Sequence, residues 1–161
     1  MAERPQFDPY AILAALERRR VAYVVIGSFA RVIRGAEELP DGLDIAPSLR
    51  SQNLPRLDEA LADLNVVGAR VGVGESPDAV IRAASPAGEL KIVPEPEGTR
   101  GYDDLRRAAR REPLGRGLRP SVASVDDLAR MLAAHGREED RDRLRALRRL
   151  AELERGLTLE R

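Results

Sequence analysis

The run Val21-Ala22-Tyr23-Val24-Val25-Ile26, halted by Gly27-Ser28, constrains the chain more than any other feature. It is continuously apolar, rich in β-branched residues and of strand length, which is the pattern of a buried strand. The glycine-serine pair then turns the chain sharply, with Ser28 expected to cap a short helix and Gly35 to close it. Ahead of the run, Asp8 caps and Pro9 opens a helix whose Ile12, Leu13 and Leu16 share one face and which ends near Arg20. Helix, strand, tight turn and helix in succession predict an α/β (α+β) domain.

The rest of the chain fits that class. Leu43-Asp44-Ile45-Ala46 is a short strand ended by Pro47, and Leu54 to Leu64 is an amphipathic helix opened by Asn53. Val66 to Val73 reads as a further strand, weakened by Gly68 and Gly72. Ala79 to Ala84 and Glu89 to Val93 flank Ser85-Pro86-Ala87-Gly88 and are expected to pair as a hairpin. An arginine-rich helix is expected over Tyr102 to Arg111, followed by a loop from Pro113 to Pro120. Ser124-Val125-Asp126-Asp127 has the form of a capping box for a helix with Leu128, Met131 and Leu132 as its stripe and Gly136 as its stop. A second helix follows from Glu138 to Glu154, its alternating charges marking a solvated face. The expected organisation is a mixed sheet flanked by helices over residues 1–120, with a helical hairpin over 121–161 packed on the same domain.

Composition removes several functional classes. With 161 residues the chain suits one core. Basic and acidic residues number 27 each, so any charge effect on a partner is local. The absence of cysteine excludes thiolate nucleophiles and Cys-ligated zinc. Met1 to Tyr10 lacks the apolar stretch of a signal peptide and no run has the length of a membrane span, so the chain reads as cytoplasmic. Lys91 is the sole lysine in the sequence.

Strand, Gly27-Ser28, helix, Gly35 and a strand bearing Asp44 form an arrangement with a chemical logic. A strand-to-helix turn offers backbone N–H groups to a phosphate, and a neighbouring strand can present carboxylates that hold Mg²⁺ beside it. Nucleotidyl transfer needs little beyond such positioning and charge neutralisation. In the order Tyr-Val-Val-Ile-Gly-Ser at 23–28, Gly35, Leu-Asp-Ile at 43–45, Ser-Pro-Ala-Gly-Glu-Leu-Lys-Ile-Val at 85–93 and Val-Ala-Ser-Val-Asp-Asp-Leu at 122–128, the chain resembles the minimal nucleotidyltransferases and the related toxin component of abortive-infection systems.

That resemblance implies an Asp-x-Asp pair on the strand after the turn and a third carboxylate on a later strand. Counted from Gly27, the first Asp falls on Gly42 and the second on Asp44, while Lys91 holds the third position. Asp41 sits one residue early and points to the opposite face of a regular strand, unless a bulge at Gly42 turns it back. Gly27, Ser28 and Lys91 are then the candidate contacts for nucleotide phosphate, and Asp44 the candidate metal ligand.

Three functional readings follow. The first is a nucleotidyltransferase-fold protein with an incomplete metal site, catalytically impaired and acting through a bound nucleotide or a protein partner. The second is an active Mg²⁺-dependent enzyme of toxin–antitoxin type using Asp44 and Asp41. The third is an interaction module without a ligand. Two further features stand apart: the arginines at 106, 107, 110, 111, 116 and 119, which form a solvated surface or an RNA contact, and Arg130 with His135, whose spacing resembles the ribonuclease motif of a helical toxin family.

Overall fold

The computed structural model describes residues 7–40, 42–66 and 79–159, with side chains to residue 157. Helix α1, Pro9–Arg18, begins where expected: the Asp8 carboxylate accepts the Ala11 N–H at 3.2 Å, and Ile12, Leu13 and Leu16 are wholly buried. Strand β1, Tyr23–Ile26, is buried at every position because both of its edges and both of its faces are covered. The strand is shorter than the apolar run, since Val21 and Ala22 lie ahead of it.

Helix α2, Gly27–Ile33, starts directly at the glycine, so Ser28 lies within its first turn and caps nothing. The helix ends in a Schellman closure, with the Gly35 and Ala36 N–H groups bonding to the Val32 and Arg31 carbonyls at 3.0 and 2.9 Å. Strand β2, Gly42–Pro47, runs antiparallel to β1, and helix α3, Asn53–Asp63, follows. Asn53 does not cap α3. Its side-chain amide accepts the Ala22 N–H at 2.7 Å and donates to the Ala22 and Ser48 carbonyls at 3.0 and 2.8 Å, extending the β1–β2 pairing past the end of both strands. Beyond Val66, the strand expected over Val66 to Val73 lies outside the described residues.

Strands β3, Ile81–Ser85, and β4, Gly88–Ile92, form the expected hairpin around Pro86-Ala87. The Ser85 hydroxyl closes it by donating to the Gly88 carbonyl at 2.8 Å and accepting the Ala87 N–H at 3.2 Å. The arginine-rich helix is far shorter than the sequence predicts. Helix α4 spans Tyr102–Leu105, and Arg110–Arg111 form strand β5 instead, paired with β6, Ser121–Val122. Leu105 is the wholly buried apolar residue of α4, and only alanines follow it at helical spacing. With no further stripe to bury, hydrogen bonds to β6 win over helix propagation.

The sheet has the order β3-β4-β2-β1-β6-β5, with β2–β4 and β1–β6 parallel and the other pairs antiparallel. Helix α5, Val125–His135, opens as read, the Ser124 hydroxyl accepting the Asp127 N–H at 3.1 Å, and closes on Gly136 in the left-handed conformation. A 3₁₀ turn over Glu138–Asp140 leads into α6, Arg141–Leu159, which packs on α5 through Leu147 and Ala151. One cluster of buried apolar side chains runs from α1 through the sheet to α6. No helix among the described residues is long and apolar enough to cross a membrane.

Candidate nucleotide cleft

The backbone register decides what faces what. Asp44 pairs with Ile26 on one side and with Lys91 on the other, so the carboxylate strand lies between the Gly27 turn and the lysine strand. Leu43 and Ile45, like Leu90 and Ile92, are fully buried, which by alternation leaves Asp44 and Lys91 together on the opposite face. That face opens into a cleft of about 440 Å³ lined by Gly27, Ser28, Asp44 and Lys91 at one side and by α5 and the start of α6 at the other. Four of the five residues singled out from the sequence are therefore brought together. The fifth, Asp41, lies outside the described residues.

Gly27 is required twice over. Its φ of +72° favours glycine, and the Asp44 side chain lies against it: a Cβ on Gly27 would stand 2.9 Å from the Asp44 Cγ. The turn and the carboxylate are thus packed as one unit. The helix that follows has only seven residues, so its macrodipole is slight and side chains supply most of the charge in the cleft.

Those side chains divide into two groups. Arg31, one turn beyond Ser28, is held by Glu38 through two bonds of 2.7 and 2.9 Å, with both side chains about nine-tenths buried. Arg143 of α6 reaches the same Glu38 at 3.3 Å and the buried Asp140 at 3.0 Å, so the network ties α2 to the C-terminal helices. The side chains of Lys91 and Arg137 make no hydrogen bond or ion pair among the described residues, and both line the cleft. On the far wall His135 Nδ1 lies 3.2 Å from Glu97.

One acid escaped the sequence reading. Glu89 is the cross-strand partner of Gly42 and lies two residues from Lys91, so it shares the face of Asp44 and bonds Arg82 at 3.0 Å. Its spacing from Lys91 in Glu89-Leu90-Lys91 was the available signal. Gly42 itself is tightly placed, since a Cβ there would stand 2.9 Å from the Glu89 carbonyl oxygen. Arg130 and His135 do not meet: Arg130 bonds Asp104 and Asp127 at 3.0 and 3.1 Å and lines a separate pocket with Arg100 and Arg107.

A divalent metal pair needs converging oxygen ligands. Among the described residues no three acidic or histidine side chains converge, and an ammonium stands directly across from Asp44.

A mixed sheet with a glycine-serine turn leading into a helix beside a carboxylate strand is the nucleotidyltransferase fold. Three solved structures share it. TM1012 of Thermotoga maritima, assigned as a nucleotidyltransferase, aligns with TM-score 0.62 at 17% identity, over 95% of this chain and 91% of its own. The lincosamide antibiotic adenylyltransferase LnuA, solved with lincomycin bound, aligns with TM-score 0.59 at 18% identity, over 91% of this chain and 99% of its own. The antibiotic-resistance factor ANT(2'')-Ia gives TM-score 0.52 at 18% identity, over 94% and 92%. No family model and no curated protein matches the sequence.

Proposed function

We propose that this nucleotidyltransferase-fold protein binds an anionic nucleotide in the cleft without needing a divalent metal, and acts through that bound state or through a protein partner rather than by group transfer. The observation that carries the reading is the pairing of Asp44 with Lys91 beside Gly27-Ser28. A lysine ammonium there is a point charge able to meet phosphate, and it opposes the approach of a cation. Arg137 adds to the positive potential, while Arg31 and Arg143 are already committed to Glu38 and Asp140. The sequence resemblance to abortive-infection toxins makes a protein partner from such a system the natural one to test.

Titration calorimetry with ATP and GTP, in EDTA and in Mg²⁺, tests the proposal. Binding in EDTA that is weakened by Lys91→Ala is expected. A strict requirement for Mg²⁺ sinks it.

A second reading, an active Mg²⁺-dependent enzyme, draws on Glu89, which supplies a carboxylate beside Gly42 on the face of Asp44, and on Asp41. Transfer of label from an Mg²⁺-bound nucleotide that is lost in Asp44→Ala selects that reading.

A further inference from the structure

Between Arg106 and Arg119 the chain carries six arginines against one acid, Glu112. Glu112 does not offset them, because it is committed to Arg34 at 2.5 Å. All six arginines are exposed. Arg106 meets Asp103 at 3.5 Å and Arg116 lies over the Tyr10 ring at 4.4 Å. The side chains of Arg107, Arg110, Arg111 and Arg119 make no hydrogen bond or ion pair among the described residues.

Arginine content alone does not produce such a surface. Residues 137–155 hold seven arginines but also six acids, and there Arg141, Arg143, Arg145 and Arg155 each reach a carboxylate. Most of the positive charge of 106–119 stands without a carboxylate bonded to it along one border of the sheet. Arg110 and Arg111 form the outermost strand, Arg116 rides on the Gly115–Leu118 turn, and Arg119 leads into β6. Protection of an edge strand against pairing with another chain explains charges at 110 and 111. It does not explain 107, 116 and 119, which lie off the strand.

The chemistry of the surface selects among partners. A folded protein partner is expected to meet an apolar, charge-depleted centre, and a membrane to meet exposed bulky apolar side chains. Leu118 is buried and Leu114 half-buried, so the segment offers neither. Planar guanidinium groups suit the repeated phosphates of a polynucleotide, and the Arg116–Tyr10 pair adds a flat surface for a base. We propose that the border from Arg106 to Arg119 docks the phosphate backbone of a nucleic acid strand. This holds whether the cleft transfers nucleotides or only binds them.

Fluorescence anisotropy of the full chain with labelled single-stranded RNA and duplex DNA of about twenty residues, titrated from about 50 to 200 mM salt, tests it. The variant is Arg107→Gln/Arg110→Gln/Arg111→Gln/Arg119→Gln, and the control is Arg141→Gln/Arg145→Gln/Arg148→Gln/Arg149→Gln on α6, which removes the same charge. Four single-strand phosphate contacts contribute a log–log salt slope of about −2.8, so over that range the wild type should lose roughly 50-fold more affinity than the variant. If the quadruple variant fails to fold, the pairs 107/119 and 110/111 should each flatten the slope by about 1.4. Preference between the two probes identifies the strand type. No binding to either at low salt, an unchanged slope in the variant, or an equal loss in the α6 control overturns the assignment.

Discussion

Substituting Gly27 by alanine separates two costs that the structure places on one residue. A non-glycine residue at φ +72° costs about 1–2 kcal/mol. The new methyl group also overlaps Asp44, standing 2.9 Å from its Cγ and 3.0 Å from its Cβ. Overpacking of that kind adds about 1–3 kcal/mol. The total, roughly 2–5 kcal/mol, corresponds to a fall in melting temperature of about 5–15 °C for a chain of this size. The backbone cost persists whatever occupies position 44, but the steric cost does not. In an Asp44→Ala background, Gly27→Ala should therefore cost about 1 kcal/mol less than in the wild type, measured by urea unfolding in a double-mutant cycle. Asp44→Ala leaves its own Cβ in place, so the relief is partial. If the two substitutions prove additive, the Asp44 side chain does not press on the turn, and the account of turn and carboxylate as one packed unit is wrong.

Gly42→Asp combined with Lys91→Asp should melt lower than the wild type without metal, because like charges meet Asp44 and Glu89 on one face, and should regain stability in Mn²⁺; a melting temperature indifferent to Mn²⁺ refutes the shared face. Glu38→Ala should cost about 3–5 kcal/mol, since it strips the bidentate partner from a largely buried Arg31; a loss under 1 kcal/mol in urea unfolding argues against the network. The two acids on Arg130 should respond oppositely to pH. Asp104 is held below the usual carboxylate range by the Arg100 N–H and by Arg130, so it stabilises the fold above its unfolded pKa and loses that contribution as pH falls through the lowered value. Asp127 is held above the range, chiefly by burial, so its contribution is present below the unfolded pKa and lost as pH rises through the raised one. At neutral pH Asp104→Asn should therefore lower the melting temperature more than Asp127→Asn; the reverse order in thermal melts at neutral pH contradicts the assignment.

Local chemistry is what a sequence displays, and it was legible here. The β1 run, the Asp8 and Ser124 caps, the two-residue hairpin loop and the Gly136 stop all act within a few residues of their cause. The strand alternation that put Lys91 on the face of Asp44 needed only period-two counting. What was not legible depends on partners distant in the chain. Asn53 looks like a cap until Ala22 and Ser48 lie beside it. The segment 106–111 has helical composition, and only the free edge of β6 makes part of it a strand. The union of Arg31 with Glu38, Arg143 and Asp140 spans more than a hundred residues and leaves no periodic trace.

The close seating of Gly42 against the Glu89 carbonyl also bears on the history open to this chain. Any side chain arriving at position 42 must first push β2 and β4 apart, so its immediate effect is loss of stability, before it brings a ligand to the cleft. While Lys91 remains, an acid at 42 gains a lone neighbouring ammonium and no metal. A change of Lys91 alone meets no such steric barrier, being a half-exposed residue on the open face. The order of events is thus biased: a lineage moving from this cleft towards a three-carboxylate one changes at 91 before it changes at 42, and relatives caught midway should carry an acid at 91 with glycine still at 42.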